Sequence, residues 1–154
     1  MSNDNWTTPN WLFRYLDSRF HFVLDAAASK ENAKCARYYD EQSNGLESPW
    51  ADNGWTFCNP PYSKVEAWAR EALAECRLHD RSSLLLVPVR SDQRWWHEIA
   101  VAGACQVEWY EGRISFGNST GSAWMYNVNL IFSPNGVDAV PSLNVKELKK
   151  QWNG

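Results

Sequence analysis

Four consecutive residues, Asn59-Pro60-Pro61-Tyr62, carry the groups from which an amine-activating site can be built. An asparagine side-chain oxygen and a backbone carbonyl held by proline can both accept hydrogen bonds from one planar –NH2 group. Proline locks the local backbone, so that carbonyl needs no reorganisation as a reaction proceeds. A tyrosine ring beside them can stack on the flat heterocycle that bears the amine. Two acceptors drawing on the N–H bonds oppose delocalisation of the nitrogen lone pair into the ring, which makes the amine a nucleophile. The plainer alternative is a strand-to-helix turn stiffened by two prolines. The three histidines, His21, His79 and His97, are dispersed, and none has a sequence neighbour that suggests acid–base or metal chemistry.

These groups work only if the chain delivers them to an open edge. Trp55-Thr56-Phe57-Cys58 is an aromatic and β-branched run that predicts a strand, ended by two prolines that cannot continue a ladder. Ser63 predicts the cap of a following helix, with Val65, Trp68, Ala69, Ala72, Leu73 and Cys76 on its apolar face. Upstream, Thr7 or Thr8 before Pro9 predicts a capped helix start, and Trp11, Leu12, Tyr15 and Leu16 recur at helical spacing. Phe20-His21-Phe22-Val23-Leu24 predicts a strand ending at Asp25, with a loop or short helix over 26–35 and at most one short strand over 38–50.

Residues 83–89 form a near-continuous apolar run, the pattern of a strand covered on both faces. Asp92 predicts a helix start before Trp95, Trp96, Ile99 and Ala100, and residues 105–110 predict a strand. Residues 114–116 and 124–132 predict antiparallel strands around a Gly-rich loop, and residues 144–152 a short basic helix. Strands alternating with helices argue for an open α/β fold, mostly parallel, with an antiparallel edge hairpin. Such sheets bind ligands beyond the carboxyl ends of their strands. That rule singles out Asp25, Asn59-Pro60-Pro61-Tyr62 and Pro88-Val89-Arg90.

Asn-Pro-Pro-Tyr at a strand end resembles the catalytic motif of S-adenosylmethionine-dependent amino-methyltransferases. Five stretches extend the likeness: Trp6-Thr7-Thr8-Pro9, Leu24-Asp25-Ala26-Ala27-Ala28-Ser29, Asn32-Ala33-Lys34-Cys35, Cys58-Asn59-Pro60-Pro61-Tyr62-Ser63 and Gly112-Arg113-Ile114-Ser115-Phe116. In that order they resemble the phage and prophage DNA N6-adenine methyltransferases, from about residue 6 to residue 132. The resemblance implies a minimal Rossmann-like class I methyltransferase. Its substrate would be the adenine amine of DNA, with the base flipped into the pocket, and its product S-adenosylhomocysteine. Asn59, Pro60, Pro61 and Tyr62 would be catalytic. The cofactor would lie against Thr8 and Pro9, Asp25 with Ala26 and Ala27, Asn44 with Leu46, and Asn59.

Tyr62, Ser63, Arg90, Arg113 and Phe116 would meet the substrate, with Phe116 stacking on the base face opposite Tyr62 and Arg113 on phosphate. The expected setting is the cytoplasm of a bacterial host, with protection from host restriction enzymes the associated role. The chain departs from the family pattern twice. Ala26-Ala27-Ala28 stands where glycines usually let the backbone approach the cofactor. The acidic residue that grips the ribose is represented only by the candidates Asp40 and Glu41. Alternatives are the same chemistry on RNA adenine or a protein glutamine, and a catalytically silent binding module.

Composition sets bounds on all of this. The chain has 154 residues, about one domain, so a single methyltransferase domain over residues 1–154 without a separate target-recognition domain is expected. Hydrophobic residues make up 44% and charged residues 21%, which excludes a disordered chain. The net charge of −3 argues against a protein that coats nucleic acid through bulk charge, though a local basic face remains compatible with it. Selectivity for a DNA sequence would then be short or loose, carried by loops such as residues 115–124. Cys35, Cys58, Cys76 and Cys105 are scattered, with no pair at ligand spacing, so neither a zinc site nor any other metal is expected. No apolar run approaches membrane length and the polar start, residues 1–5, does not resemble a secretory signal. A monomer or small homo-oligomer acting on DNA, with no membrane partner, is the expected state.

Overall fold

In the computed structural model, which describes residues 6–117 and 126–153, the apolar run after Arg81 becomes a central strand, β3 (Ser83–Pro88), with all six residues buried. Its neighbours are β2 (Trp55–Cys58), parallel to it, and β5 (Asn127–Phe132), antiparallel and equally buried. β1 (Phe22–Asp25) runs parallel to β2 at one edge. On the other side β4 (Gln106–Glu111) pairs antiparallel with β5, and β6 (Ser142–Asn144) pairs parallel with β4. The sheet order is therefore β1-β2-β3-β5-β4-β6. Three of the five pairings are parallel, and the reversed strand β5 is inserted between β3 and β4.

Four helices accompany the sheet. α1 (Asn10–Phe20) buries Trp11, Leu12, Leu16 and Phe20, and its Phe13 ring meets Phe57 of β2 edge-on at 5.2 Å. α2 (Val65–His79) buries Val65, Trp68, Ala69 and Ala72 as their spacing predicts, packing on β3 and β5. α3 (Arg94–Trp96) continues as a π-type turn over His97–Val101, bringing Trp95, Trp96 and Ile99 into the core. α4 (Val145–Trp152) packs on α1 and is capped by Asn144, whose Oδ1 accepts from the Glu147 amide at 2.9 Å.

Several local expectations are corrected. Neither Thr7 nor Thr8 caps α1: Pro9 stands at the cap, and its carbonyl accepts from the Leu12 and Phe13 amides, both at 3.1 Å. α1 runs through Phe20, and His21 ends it in the left-handed region at φ 56°, so the strand begins only at Phe22. Ser63 lies inside a single 3-10 turn, Tyr62–Lys64, opened by the Lys64 amide on the Pro61 carbonyl at 3.0 Å, and Lys64 holds the cap position of α2. Gln93, not Asp92, precedes α3. Of the loop or short helix expected over residues 26–35, the structure has the loop, a series of turns. Residues 114–116 form no strand; Ile114 and Phe116 are buried as an irregular segment, and β5 pairs with β4 and β3 instead. The expected Gly-rich loop from residue 118 on and the first two residues of the expected strand, 124 and 125, lie outside the described residues, as do residues 1–5 and 154.

One polar network ties α1 to the far side of the sheet. Glu108 of β4 is fully buried and takes both Arg19 guanidinium nitrogens at 2.9 and 2.7 Å, the Asn129 amide at 3.1 Å and the Val140 backbone amide at 2.7 Å. A buried carboxylate is tolerated only when so fully paired.

Candidate active site

Register decides which strand ends meet. Asp25 lies beside Phe57, Cys58 beside Leu85, and Pro88 beside Asn127. The carboxyl ends of the three parallel strands and the start of the reversed β5 therefore share one edge. Asp25, Asn59-Pro60-Pro61-Tyr62 and Arg90 all leave the sheet there, as the strand-end rule predicts.

Asn59 is held from above by the segment that leads into α1. Its Nδ2 donates to the Trp6 carbonyl, and to Thr8 Oγ1 at 3.0 Å. Its Oδ1 is buried without a hydrogen-bond partner. A buried acceptor left unmade is costly and marks a place where a donor belongs. Thr8 itself is 2% exposed.

Beside this asparagine lies a cavity of about 920 Å³. It is within the range of small-molecule sites. Its wall includes Thr8, Asp25, Ala26, Ala27, Asn44, Leu46 and Asn59, which brings together every expected cofactor residue except Pro9, the cap of α1. Asp40 and Glu41 also reach it. Asp40 turns its Oδ1 to the Ser43 amide and hydroxyl, both at 2.9 Å, and those bonds hold its carboxyl below the usual range. Burial pushes Asp25 up to about 6, against hydrogen bonds from the Lys34 amide at 3.0 Å and the Ala27 amide at 3.4 Å. Asn44 adopts φ 51°, its Oδ1 accepting from the Leu46 amide at 3.1 Å.

A close backbone approach in the cavity wall is made at Gly45, which packs directly on Ala26. A Cβ on Gly45 would sit 2.2 Å from the Ala26 carbonyl oxygen and 2.9 Å from the Trp68 ring. Only glycine fits between them. The Gly45 carbonyl also accepts from Trp50 Nε1 at 2.7 Å, which fixes the turn to the core.

The expected substrate side is an aromatic cluster rather than a slot. Tyr62 and Phe116 touch directly, perpendicular, with centroids 6.1 Å apart, and Trp6 lies 6.3 Å from the first and 6.0 Å from the second. The two rings do not face each other across a gap of base thickness. The Tyr62 hydroxyl accepts from Asn127 Nδ2 at 2.9 Å, and burial holds its phenol neutral. Arg90 lies close enough for its charge to act on that phenol. Arg113 is exposed; it donates to the Tyr126 hydroxyl at 2.9 Å and lies over that ring at 4.9 Å. Ser63 is exposed on the 3-10 turn.

Sequence reasoning missed Gly45, Trp68, Tyr126 and Asn127 as site residues. Trp68 shows in the sequence only as one residue of an apolar helix face, yet it also lines the cavity, with its Nε1 buried and unpartnered. Asn127 had a signal, since it is a polar residue opening a largely apolar strand, but its partner Tyr62 is 65 residues away. Among the described residues no cluster of side chains could hold a metal ion, and no helix is long and apolar enough to cross a membrane.

The geometry is accompanied by a family match along most of the chain. The family model described as DNA N-6-adenine-methyltransferase (Dam) matches residues 1–131. The DNA N-6-adenine-methyltransferase of Escherichia phage T1 is 32% identical over 113 residues, spanning 73% of this chain and 47% of that protein. That of Haemophilus phage HP1 is 30% identical over 122 residues, spanning 77% of this chain and 69% of that protein. The chain thus spans about half the length of the first relative and about two thirds of the second. With its strand-end Asn-Pro-Pro-Tyr, its six-stranded sheet and a matched region that reaches into β5, the chain belongs to the DNA N-6-adenine-methyltransferase (Dam) family.

Proposed function

We propose that the chain transfers the methyl group of S-adenosylmethionine to the exocyclic amine of adenine in DNA. The observation that carries this reading is Asn59: both of its N–H groups are engaged, and its acceptor oxygen is buried and unpaired at the edge of the cavity. An acceptor without a partner suits an amine that arrives with two N–H donors.

The cavity residues fit the cofactor. Its volume is adequate, Gly45 packs in its wall against the Ala26 carbonyl and the Trp68 ring, and Asp25 offers a carboxylate to an ammonium group. When bound, S-adenosylmethionine supplies a methyl group on a positively charged sulfur. Asp25, Ala26, Ala27, Asn44 and Leu46 would hold it, with Thr8 on the same wall. The protein's own task is to present the amine. Asn59 Oδ1 and the Pro60 carbonyl accept its two N–H bonds, which draws the nitrogen lone pair out of the ring. Pro60 and Pro61 fix that geometry before substrate arrives. Tyr62 offers a ring face to the base, Phe116 and Trp6 meet it from the side, and Arg90, Arg113 and Ser63 lie outward towards the nucleic-acid backbone. A base inside a duplex is out of reach of such a site, so the adenine must be flipped out. No residue has to give or take a proton until the methylated amine sheds one to water.

This reading places the work in one domain, on DNA in the cytoplasm of a bacterial host, by a monomer or small homo-oligomer. The test is incubation with labelled cofactor and DNA, followed by nucleoside mass spectrometry. N6-methyladenine is the expected product. Asn59→Ala is expected to lower the rate by about 10²–10³ while cofactor binding persists. Label found only in RNA adenine or protein glutamine moves the substrate, and cofactor binding without transfer to any of them refutes catalysis.

A further inference from the structure

We infer that Thr8 is a positioning residue for Asn59, spending its hydroxyl oxygen on the catalytic amide rather than on the cofactor. The inference rests on the function proposed above and adds a residue role to it. An asparagine amide can turn by half a rotation and exchange its oxygen for its nitrogen at little steric cost. In this site the exchange would be ruinous, because an –NH2 facing a substrate –NH2 offers it no acceptor.

The segment before α1 prevents that exchange. Asn59 Nδ2 donates one N–H to the Trp6 carbonyl and the other to Thr8 Oγ1 at 3.0 Å. Turning the amide would bring Oδ1 against the Trp6 carbonyl, an acceptor facing an acceptor. The Trp6 carbonyl, which can only accept, therefore selects the orientation in which Oδ1 is left for the substrate, Thr8 Oγ1 anchors the amide there by taking its second N–H, and it is Oδ1 that is buried and unpartnered.

The segment is itself fixed at both ends. The Gly117 amide donates to the Thr7 carbonyl at 2.9 Å, and the Pro9 carbonyl takes the first amides of α1. The Trp6 ring is packed on Tyr62 and Phe116. Thr8 is thus a rigid, buried acceptor rather than a mobile surface hydroxyl, and it does not cap the helix it precedes.

The test compares Thr8→Val, which keeps the shape and removes the acceptor, with Thr8→Ser, which restores it. Single-turnover methylation is measured at saturating cofactor and DNA, and cofactor affinity by calorimetry. Thr8→Val should lose about ten- to a hundredfold in rate, the scale on which misplacing a reacting group acts, with cofactor affinity unchanged. Thr8→Ser should return close to the wild-type rate. A wild-type rate in Thr8→Val overturns the inference, and so does a loss of cofactor affinity that Thr8→Ser repairs, because the hydroxyl would then serve the cofactor.

A second measurement does not depend on the variant folding. In the wild-type protein the Asn59 side-chain amide protons, assigned by their loss in Asn59→Ala, should be protected from exchange with solvent. Free exchange overturns the inference. If the wild type methylates no DNA, or Asn59→Ala methylates it as well as wild type does, the functional reading fails instead, and the two failures are distinguishable.

Discussion

At the scale of single residues, Asp25 and Tyr62 are each set by burial, with opposite consequences. Asp25 is 3% exposed and its carboxyl is raised from 3.8 to about 6. Ionising it in the folded protein costs roughly 3 kcal/mol relative to the unfolded chain. Its native state holds a proton that the unfolded state has already released between about pH 4 and 6. The stability this gives is full below about pH 4 and is lost as pH rises through 6. Without cofactor, Asp25→Asn should therefore gain stability relative to wild type in urea melts taken from pH 4 to 7. The same variant should bind cofactor more weakly at pH 7, by calorimetry, because the carboxylate is missing. Unchanged affinity would leave Asp25 as a turn residue only. Tyr62 keeps its proton, so its contribution is its ring. Tyr62→Phe should retain most turnover and lose about 1–3 kcal/mol of stability, since Asn127 Nδ2 is left buried without its acceptor. Tyr62→Ala should lose about 1–3 kcal/mol of base stacking as well, read as a ten- to hundredfold drop in single-turnover rate. A Phe variant as inactive as the Ala variant would show that the hydroxyl takes part in the chemistry.

Between residue and molecule lies the element, and here the turn over residues 40–46 packs directly on the exit of β1. Tyr38 makes a single parallel bridge to Asp25, and further along the chain Gly45 packs between the Ala26 carbonyl and the Trp68 ring of α2. With Gly45 between a carbonyl oxygen and an indole ring, a methyl group cannot be added without moving one of them. Both neighbours line the cavity. Gly45→Ala should therefore weaken cofactor binding more than it lowers the melting temperature, measured by calorimetry and thermal denaturation on the same preparation. Equal affinity in the variant would mean that this wall does not meet the cofactor. The reversed strand β5 matters in a similar way, because running antiparallel to β3 it starts, rather than ends, at the site. It delivers Asn127 to the Tyr62 hydroxyl and Tyr126 to Arg113.

For the whole molecule the balance of charge is against nucleic acid, at −3, while arginines gather where the strands end. Arg90 lies close enough to Tyr62 for its charge to act on the phenol, and Arg113 is stacked on Tyr126, an exposed ring. Association with DNA should accordingly depend on a few local contacts. Its equilibrium constant should fall as salt rises, with a log–log slope of about −0.9 for each phosphate contacted. Arg113→Ala should flatten that slope by about one contact, measured by fluorescence anisotropy across a salt series. Binding indifferent to salt would place the DNA contact elsewhere or make it chiefly apolar.

The Asn-Pro-Pro-Tyr site was legible in the sequence because its chemistry is local: four adjacent residues carry the acceptors, the rigidity and the ring. The central strand and the apolar face of α2 were legible for a similar reason, since burial on two faces or one imposes its own periodicity over a few residues. What depended on distant partners was not. Thr8 before Pro9 has the local form of a helix cap, and only the arrival of β2 beside it turns its oxygen to Asn59. Residues 114–116 have strand-like composition, but β5 already fills both pairing edges next to β4 and β3, so the segment is buried without a ladder. The sequence by itself determined the α/β class and the Asn-Pro-Pro-Tyr groups that stand at a strand end. The tertiary structure decided which way the Asn59 amide faces, which glycine fits between Ala26 and Trp68 and which strand runs backwards, because each depends on contacts between residues far apart in the chain.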